Sequence, residues 1–95
     1  MYKRQEDAIV QLSEREFIVL GSTNLDDVSE ELDVDFSSDD YDTIGGFCLE
    51  LLDHLPEKNE IVFTEDGTLL KIQEVDKNRI EKIYIKLPEE KSEEA

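Results

Sequence analysis

The sequence predicts an α+β domain in which two amphipathic helices pack on one face of an antiparallel sheet, in the order ββααβββ. Three observations carry this reading. Apolar residues alternate with polar ones near both ends of the chain, over Ala8–Leu12 and Ile80–Leu87, with the period of a half-buried strand. Between Gly21 and Pro56 the period lengthens to that of a helix: Leu25, Val28 and Leu32 recur at helical spacing, then Ile44, Phe47, Cys48, Leu51, Leu52 and Leu55. Strands and helices thus come in separate runs, which favours helices segregated to one face of an antiparallel sheet.

Taken in order, Ala8, Val10 and Leu12 alternate with Ile9 and Gln11, and Glu14 and Arg15 interrupt before Phe17–Leu20 resume. This is the pattern of a β-hairpin with a short polar turn. Thr23 with Asp26 forms a capping box, so the first helix is expected from about Asn24 to Leu32. Asp33–Asp40 is a polar loop with Val34 and Phe36 as its apolar anchors. Asp42 or Thr43 can cap the second helix, and Pro56 disfavours helical geometry at Leu55, which sets its expected end. Gly45 and Gly46 lie in that helix's first turn, where each costs about 1 kcal/mol relative to alanine. Close packing of helix on sheet is the expected reason for keeping them. Strands are then expected at Glu60–Thr64, Thr68–Val75 and Ile80–Leu87, as an antiparallel meander. The core is expected from Val10, Val19, Leu25, Val28, Phe47, Leu51, Leu55, Ile72 and Ile83. The domain is expected to span residues 1–87, with 88–95 a disordered acidic tail.

With 95 residues and 38% charged side chains, one modest core is expected. The net charge of −16 is unevenly spread: thirteen acidic residues and no lysine or arginine lie between Glu16 and Glu57. Such a surface repels phosphate backbones, which excludes nucleic acid and anionic lipid as direct ligands. Apolar runs such as Phe17–Leu20 fall far short of a bilayer span, so no direct membrane insertion is expected. Residues 1–7 lack the apolar core of a secretory signal, and a soluble cytosolic chain is the expectation.

No catalytic constellation emerges, so the chain is not expected to be an enzyme. Cys48 is a lone cysteine on an apolar helical face, and His54, six residues on, falls on the opposite side at about 100° per residue. The carboxylate pairs Asp26/Asp27 and Glu30/Glu31 are adjacent on a helix and do not face each other. Asp39, Asp40 and Asp42 are candidate ligands for Mg²⁺ or Ca²⁺, since hard cations take oxygen donors. The run lacks the alternate spacing, central glycine and distal glutamate of an EF-hand, and helix capping on a solvated loop is the better account of it. Gly45 and Gly46 could bring backbone N–H groups to a phosphate, but G-x-G-x-x-G is absent and the surroundings are acidic. Tyr84 is placed on the wet face of its strand, where it can join a partner surface.

Four segments together carry a family resemblance: Phe17–Asp27, the Asp-Tyr-Asp-Thr-Ile-Gly-Gly-Phe run at 40–47, His54-Leu55-Pro56, and Val75–Ile80. Over about residues 6 to 87 the chain resembles the CorC/HlyC transporter-associated domain. The resemblance implies an excised C-terminal cytosolic module that follows a transmembrane domain and paired CBS domains, in magnesium/cobalt efflux or hemolysin-like proteins. Its implied partners are those CBS and transmembrane domains. Apart from the resemblance, three to five strands in 95 residues cannot close into a barrel, so association through an exposed strand edge, as a homodimer, is expected. Its implied location is the cytoplasmic face of the membrane. It implies a non-catalytic regulatory or interaction role and no cofactor. The fold it implies resembles a subdomain of PCMH-type FAD-binding proteins; the alternative is therefore a ligand-binding module, for FAD by that analogy or for a divalent cation at the acidic segment. One departure is Lys58-Asn59, where the family often has glycine; asparagine also tolerates positive φ there.

Overall fold

In the computed structural model, which describes residues 8–88, the alternating segments become strands β1 (Ile9–Gln11), β2 (Glu16–Leu20), β3 (Ile61–Phe63), β4 (Leu69–Asp76) and β5 (Arg79–Lys86). The helical segments become α1 (Leu25–Leu32) and α2 (Ile44–Leu52). The strands form one antiparallel sheet in the order β1-β2-β5-β4-β3. The N-terminal hairpin and the C-terminal meander are therefore one layer, fused where β2 pairs with β5. Apart from Pro88, the expected acidic tail at 88–95 lies outside the described residues, as does the start of the chain up to Asp7.

Register decides which side chains share a face. Ile9, Val19, Ile83 and Ile72 lie opposite one another in one row, and Phe17, Ile85, Leu70 and Val62 in the next. These rows meet Leu25, Val28 and Leu32 of α1 and Ile44, Phe47 and Cys48 of α2 in the core. On the other face, Val10, Ile18, Tyr84, Lys71 and Ile61 run across all five strands. Ile80 has the same parity on β5 as Lys82 and Tyr84, yet it is buried in the core. The β4–β5 register shifts on both sides of Glu74, stepping past Gln73 on β4 and Glu81 on β5, and this turns Ile80 inward.

Three of the residues expected in the core are not there. Val10 is 44% exposed, Leu51 38% and Leu55 45%. Val10 opposes Ile18 on the face away from the helices. The second helix ends at Leu52 rather than Leu55, because Asp53 turns into the left-handed region (φ 61) and its N–H caps the Leu49 carbonyl. Leu55 is thus beyond the helix, and full burial in α2 is confined to its first five residues, Ile44–Cys48, with Leu49 and Leu52 partly buried against the core. The cap of α1 also differs from expectation: Asn24, not Thr23, accepts the Asp26 N–H at 2.8 Å. The loop anchors hold as read: Phe36 stacks on Phe47 with ring centroids 5.0 Å apart, and Val34 packs against the core. Asn59 takes positive φ (75), so the Lys58-Asn59 turn forms without glycine.

Ile83 is fully buried at the centre of the sheet. Ile83→Ala is expected to cost about 2–5 kcal/mol, and half-exposed Leu51→Ala about 1 kcal/mol or less. Urea denaturation of the two variants measures both.

Candidate functional site

The most distinctive segment, Asp40–Phe47, is built into the fold by its backbone. The Ser38 hydroxyl accepts the N–H groups of Asp40 and Tyr41 at 3.2 and 3.1 Å. The Asp42 carbonyl accepts the Leu25 N–H at 2.7 Å, and Asn24 bridges to Thr43, so the start of α2 is stitched to the start of α1. Thr43, not Asp42, is the N-cap: its Oγ1 accepts from Gly46 at 3.2 Å.

The first turn of α2 has no donor left for a ligand. The Ile44 N–H is held by the Thr23 carbonyl (3.0 Å), Gly45 by the Gly21 carbonyl (2.9 Å), Gly46 by Thr43 Oγ1 and Phe47 by the Thr43 carbonyl (2.9 Å). Both glycines are set by proximity. A Cβ on Gly45 would stand 2.9 Å from the Gly21 carbonyl oxygen, and one on Gly46 2.5 Å from the Tyr41 ring. Gly21 is itself pressed onto β5, where a Cβ would stand 1.9 Å from the Ile80 carbonyl oxygen.

Beside this junction lies a cleft of about 330 Å³ bordered by Gly21, Tyr41, Gly46, Leu49, Arg79 and Glu81. Its cationic group, Arg79, lies 3.4 Å from Glu81. A flavin dinucleotide needs donors for its pyrophosphate, and the helix terminus here has already spent its own on the fold. The residues present do not fit that group.

Asp39, Asp40 and Asp42 are all exposed on the loop. Among the described residues no group of three or more His, Cys, Asp or Glu side chains is arranged to hold a metal ion. Cys48 is fully buried, and desolvation pushes its thiol up to about 12. His54 lies past the end of α2 with a half-exposed ring, its Nε2 2.7 Å from Glu60 Oε2. That histidine and the Glu57 N–H hold the Glu60 carboxyl below its usual range, the N–H being the larger cause. The cysteine and the histidine thus do not meet. On the open face the Tyr84 hydroxyl donates to Glu16 Oε2 at 2.7 Å, which lowers the Glu16 carboxyl and raises the phenol.

Two positions were missed by reading the sequence. The sequence marks Gly21 only as the point where the period changes, and the signal for its role is the absence of a side chain where β2 hands over to α1. Asn24 stands directly before the first helical residue and is as strong a cap former as any, so the signal for it was present.

The chain matches the family model described as "Transporter associated domain" (CorC_HlyC) over residues 10–89. It belongs to the CorC/HlyC transporter-associated domain family. The magnesium and cobalt efflux protein CorC of Escherichia coli (strain K12) is 31% identical over 80 residues, covering 84% of this chain and 27% of that protein. The polyamine export protein of Salmonella typhimurium is 33% identical over 89 residues, covering 92% of this chain and 20% of that protein. This transporter-associated domain therefore spans about a quarter or less of the length of these relatives. Among solved structures, the Mg²⁺ and Co²⁺ transporter (CorC) associated region from Neisseria meningitidis superposes with TM-score 0.78 at 26% identity, covering 86% of this chain and all of that one. The transporter-associated domain of a CBS domain protein from Porphyromonas gingivalis does so with TM-score 0.75 at 29% identity, covering 86% and 99%.

Packing predicts a distinctive pair of effects at the glycines. Gly46→Ala should cost about 1–3 kcal/mol and lose much of that cost in a Tyr41→Ala background. Gly45→Ala meets backbone at Gly21, so Tyr41→Ala should not relieve it. A double-mutant cycle by chemical denaturation checks both.

Cys48 supplies a pH dependence. Its folded value, about 12, lies above the ordinary 9.0, so its contribution to stability is complete below about pH 9 and is lost as pH rises toward 12. The alkaline fall in stability is expected to be shallower in Cys48→Ala, and a thiol reagent at neutral pH is expected to label Cys48 only on unfolding.

Proposed function

We propose that this domain is a non-catalytic regulatory and interaction module of a larger membrane protein that exports cations, acting at the cytoplasmic face of the membrane on that protein's CBS and transmembrane parts. One observation carries the reading. The segment that distinguishes the family packs its glycines against Gly21 and Tyr41 and spends all four first-turn N–H groups within the fold, two on the Gly21 and Thr23 carbonyls that follow β2 and two on Thr43, so its chemistry is consumed by architecture. What remains for function is surface. Two relatives are named for export of cationic cargo, metal ions in one and polyamines in the other, and a structural neighbour is named as part of a CBS domain protein. No helix among the described residues is long and apolar enough to cross a membrane, so transport itself falls to other parts of such a protein.

The test is transport by the full-length protein that carries this domain, reconstituted in vesicles, with and without residues 8–88. Deletion is expected to leave Mg²⁺ or Co²⁺ flux in place while altering its rate or its response to ion concentration. Flux and response both unchanged would overturn the proposal. A second arm follows thermal unfolding of the domain at 0.15 M salt with Mg²⁺, Ca²⁺, Co²⁺ or FAD. A ligand at 100 times its dissociation constant adds about 2.7 kcal/mol of stability. No ion-selective or FAD-dependent rise is expected; one abolished by Asp40→Asn would make the loop of Asp39, Asp40 and Asp42 a cation sensor instead.

Self-association belongs to the same reading. Among the described residues strands β1 and β3 leave unpaired edges, each three residues long, through which a homodimer can add strand to strand. Two chains of net charge −16 repel, so sedimentation is expected to show association rising as salt screens that repulsion.

A further inference from the structure

In an antiparallel ladder successive residues alternate between bonding to the neighbouring strand and facing away from it. The Thr64 N–H donates to the Thr68 carbonyl at 2.9 Å and the Ile72 N–H to the Glu60 carbonyl at 2.8 Å, so residues 60, 62 and 64 are turned toward β4. The main-chain N–H and C=O groups of Ile61 and Phe63 therefore point away from β4, past the edge of the sheet. Among the described residues they have no hydrogen-bond partner. The side chains of the same two residues are exposed, Phe63 at 60% and Ile61 at 47%. Sheet edges are ordinarily blunted by a lysine, a proline or a bulge, and Ile61–Phe63 contains none of these.

We propose that β3 pairs with β3 of a second copy, antiparallel about a two-fold axis at Val62, so that Ile61 of each copy lies opposite Phe63 of the other. The inference rests on the self-association in the reading above and assigns it an edge, a register and the residues that meet. The register follows from the backbone. Centred on Val62, both outward residues of each strand find those of the other, and every outward N–H and C=O is matched. Centred on Ile61 or on Phe63, one outward residue would instead meet Asn59 at positive φ (75) or Glu65 in the next turn, and half of the bonds would be lost. The side chains agree: Ile61 against Phe63 is a favourable cross-strand pair of a β-branched and an aromatic residue. Length singles out a second copy among extended partners. β3 is three residues long and lies between the Lys58-Asn59 and Glu65-Asp66 turns, so a longer strand from elsewhere would run onto those turns, whereas a second β3 stops where the first does. The two-fold pairing closes on itself and leaves β1 free. On β1 the Leu12 N–H bonds to the Glu16 carbonyl, so the outward residues are Ile9, partly buried against the core, and Gln11, whose amide donates to the Ser13 carbonyl. The paired strands are themselves uncharged, but each chain carries −16, so the dimer gains as salt screens the repulsion.

The experiment joins cross-linking to sedimentation at low and high salt, on the 95-residue chain. Under mild oxidation Val62→Cys is expected to give a disulfide-linked dimer, because Val62 meets its own counterpart as a non-hydrogen-bonded pair, about 4.5 Å between Cα atoms and within disulfide reach. Val10→Cys, at the middle of β1, is expected to stay unlinked, as is the unsubstituted chain, whose Cys48 is buried. In sedimentation at high salt Phe63→Lys is expected to weaken the dimer at least about tenfold, while Leu12→Lys, at a site 54% exposed beside β1, leaves it unchanged. Circular dichroism of each variant keeps loss of pairing apart from loss of folding. A monomer at high salt, linkage at Val10 in place of Val62, or equal effects of the two lysines would overturn the proposal. Each of these leaves the regulatory reading standing, because that reading is decided by the transport measurement and not by the state of the isolated domain.

Discussion

Three stretches of backbone converge at Gly21, and the helical layer depends on that approach. The residue donates its N–H to Glu81 of β5 at 2.7 Å and accepts the Gly45 N–H of α2 at 2.9 Å. It thereby joins the sheet to the helix with no side chain between them. Any Cβ at Gly21 would overlap the Ile80 carbonyl, and any at Gly45 would crowd Gly21. The two glycines are therefore one requirement seen from both sides. Ile80 belongs to the same contact: the register shift that turns it inward places its carbonyl against Gly21 and its side chain in the core.

This junction matters the more because the helices are weak on their own. They have eight and nine residues, short of the roughly 12–15 at which an isolated helix becomes even marginal. Neither has a basic residue in its last turn, and both end on an aspartate in the left-handed region, a negative charge at the negative end of the helix dipole. Packing has to supply what local propensity does not. The stack of Phe36 on Phe47 and the two hydrogen bonds between Ser29 and the Phe36 backbone hold the intervening loop to both helices.

Much of this was legible in the chain. The period-two and helical spacings place the seven elements of the described residues within a few residues, and Gly45 and Gly46 signal a need for small size before their neighbours are known. What stayed hidden depends on partners distant in sequence. Leu51 and Leu55 continue the apolar stripe of α2 without break, and Pro56 marks only the outermost point at which a helix can stop; Asp53 ends it earlier. Val10 alternates as a core residue should, but one face of β1 is as apolar as the other, and pairing with β2 alone decides which is buried. Ile80 is turned inward by a bulge that alternation cannot reveal. At the candidate site, Asp39, Asp40 and Asp42 are neighbours along the loop, yet sequence proximity says nothing of convergence, and Tyr41, between them, is the side chain that packs on Gly46.

The sheet order also bears on how the domain is made. β5 is the last strand of the described residues, yet it lies at the centre, flanked by β2 and β4. A nascent chain leaving the ribosome N-terminus first has its hairpin and both helices exposed before the strand that organises them is synthesised. Until residues 79–86 emerge, β2 has no inner neighbour, and the apolar faces of α1 and α2 have only part of a sheet to bury against. Folding during translation is thus deferred almost to the end of the domain, which leaves a long window in which the high negative charge of the middle segment is what keeps unfinished copies apart.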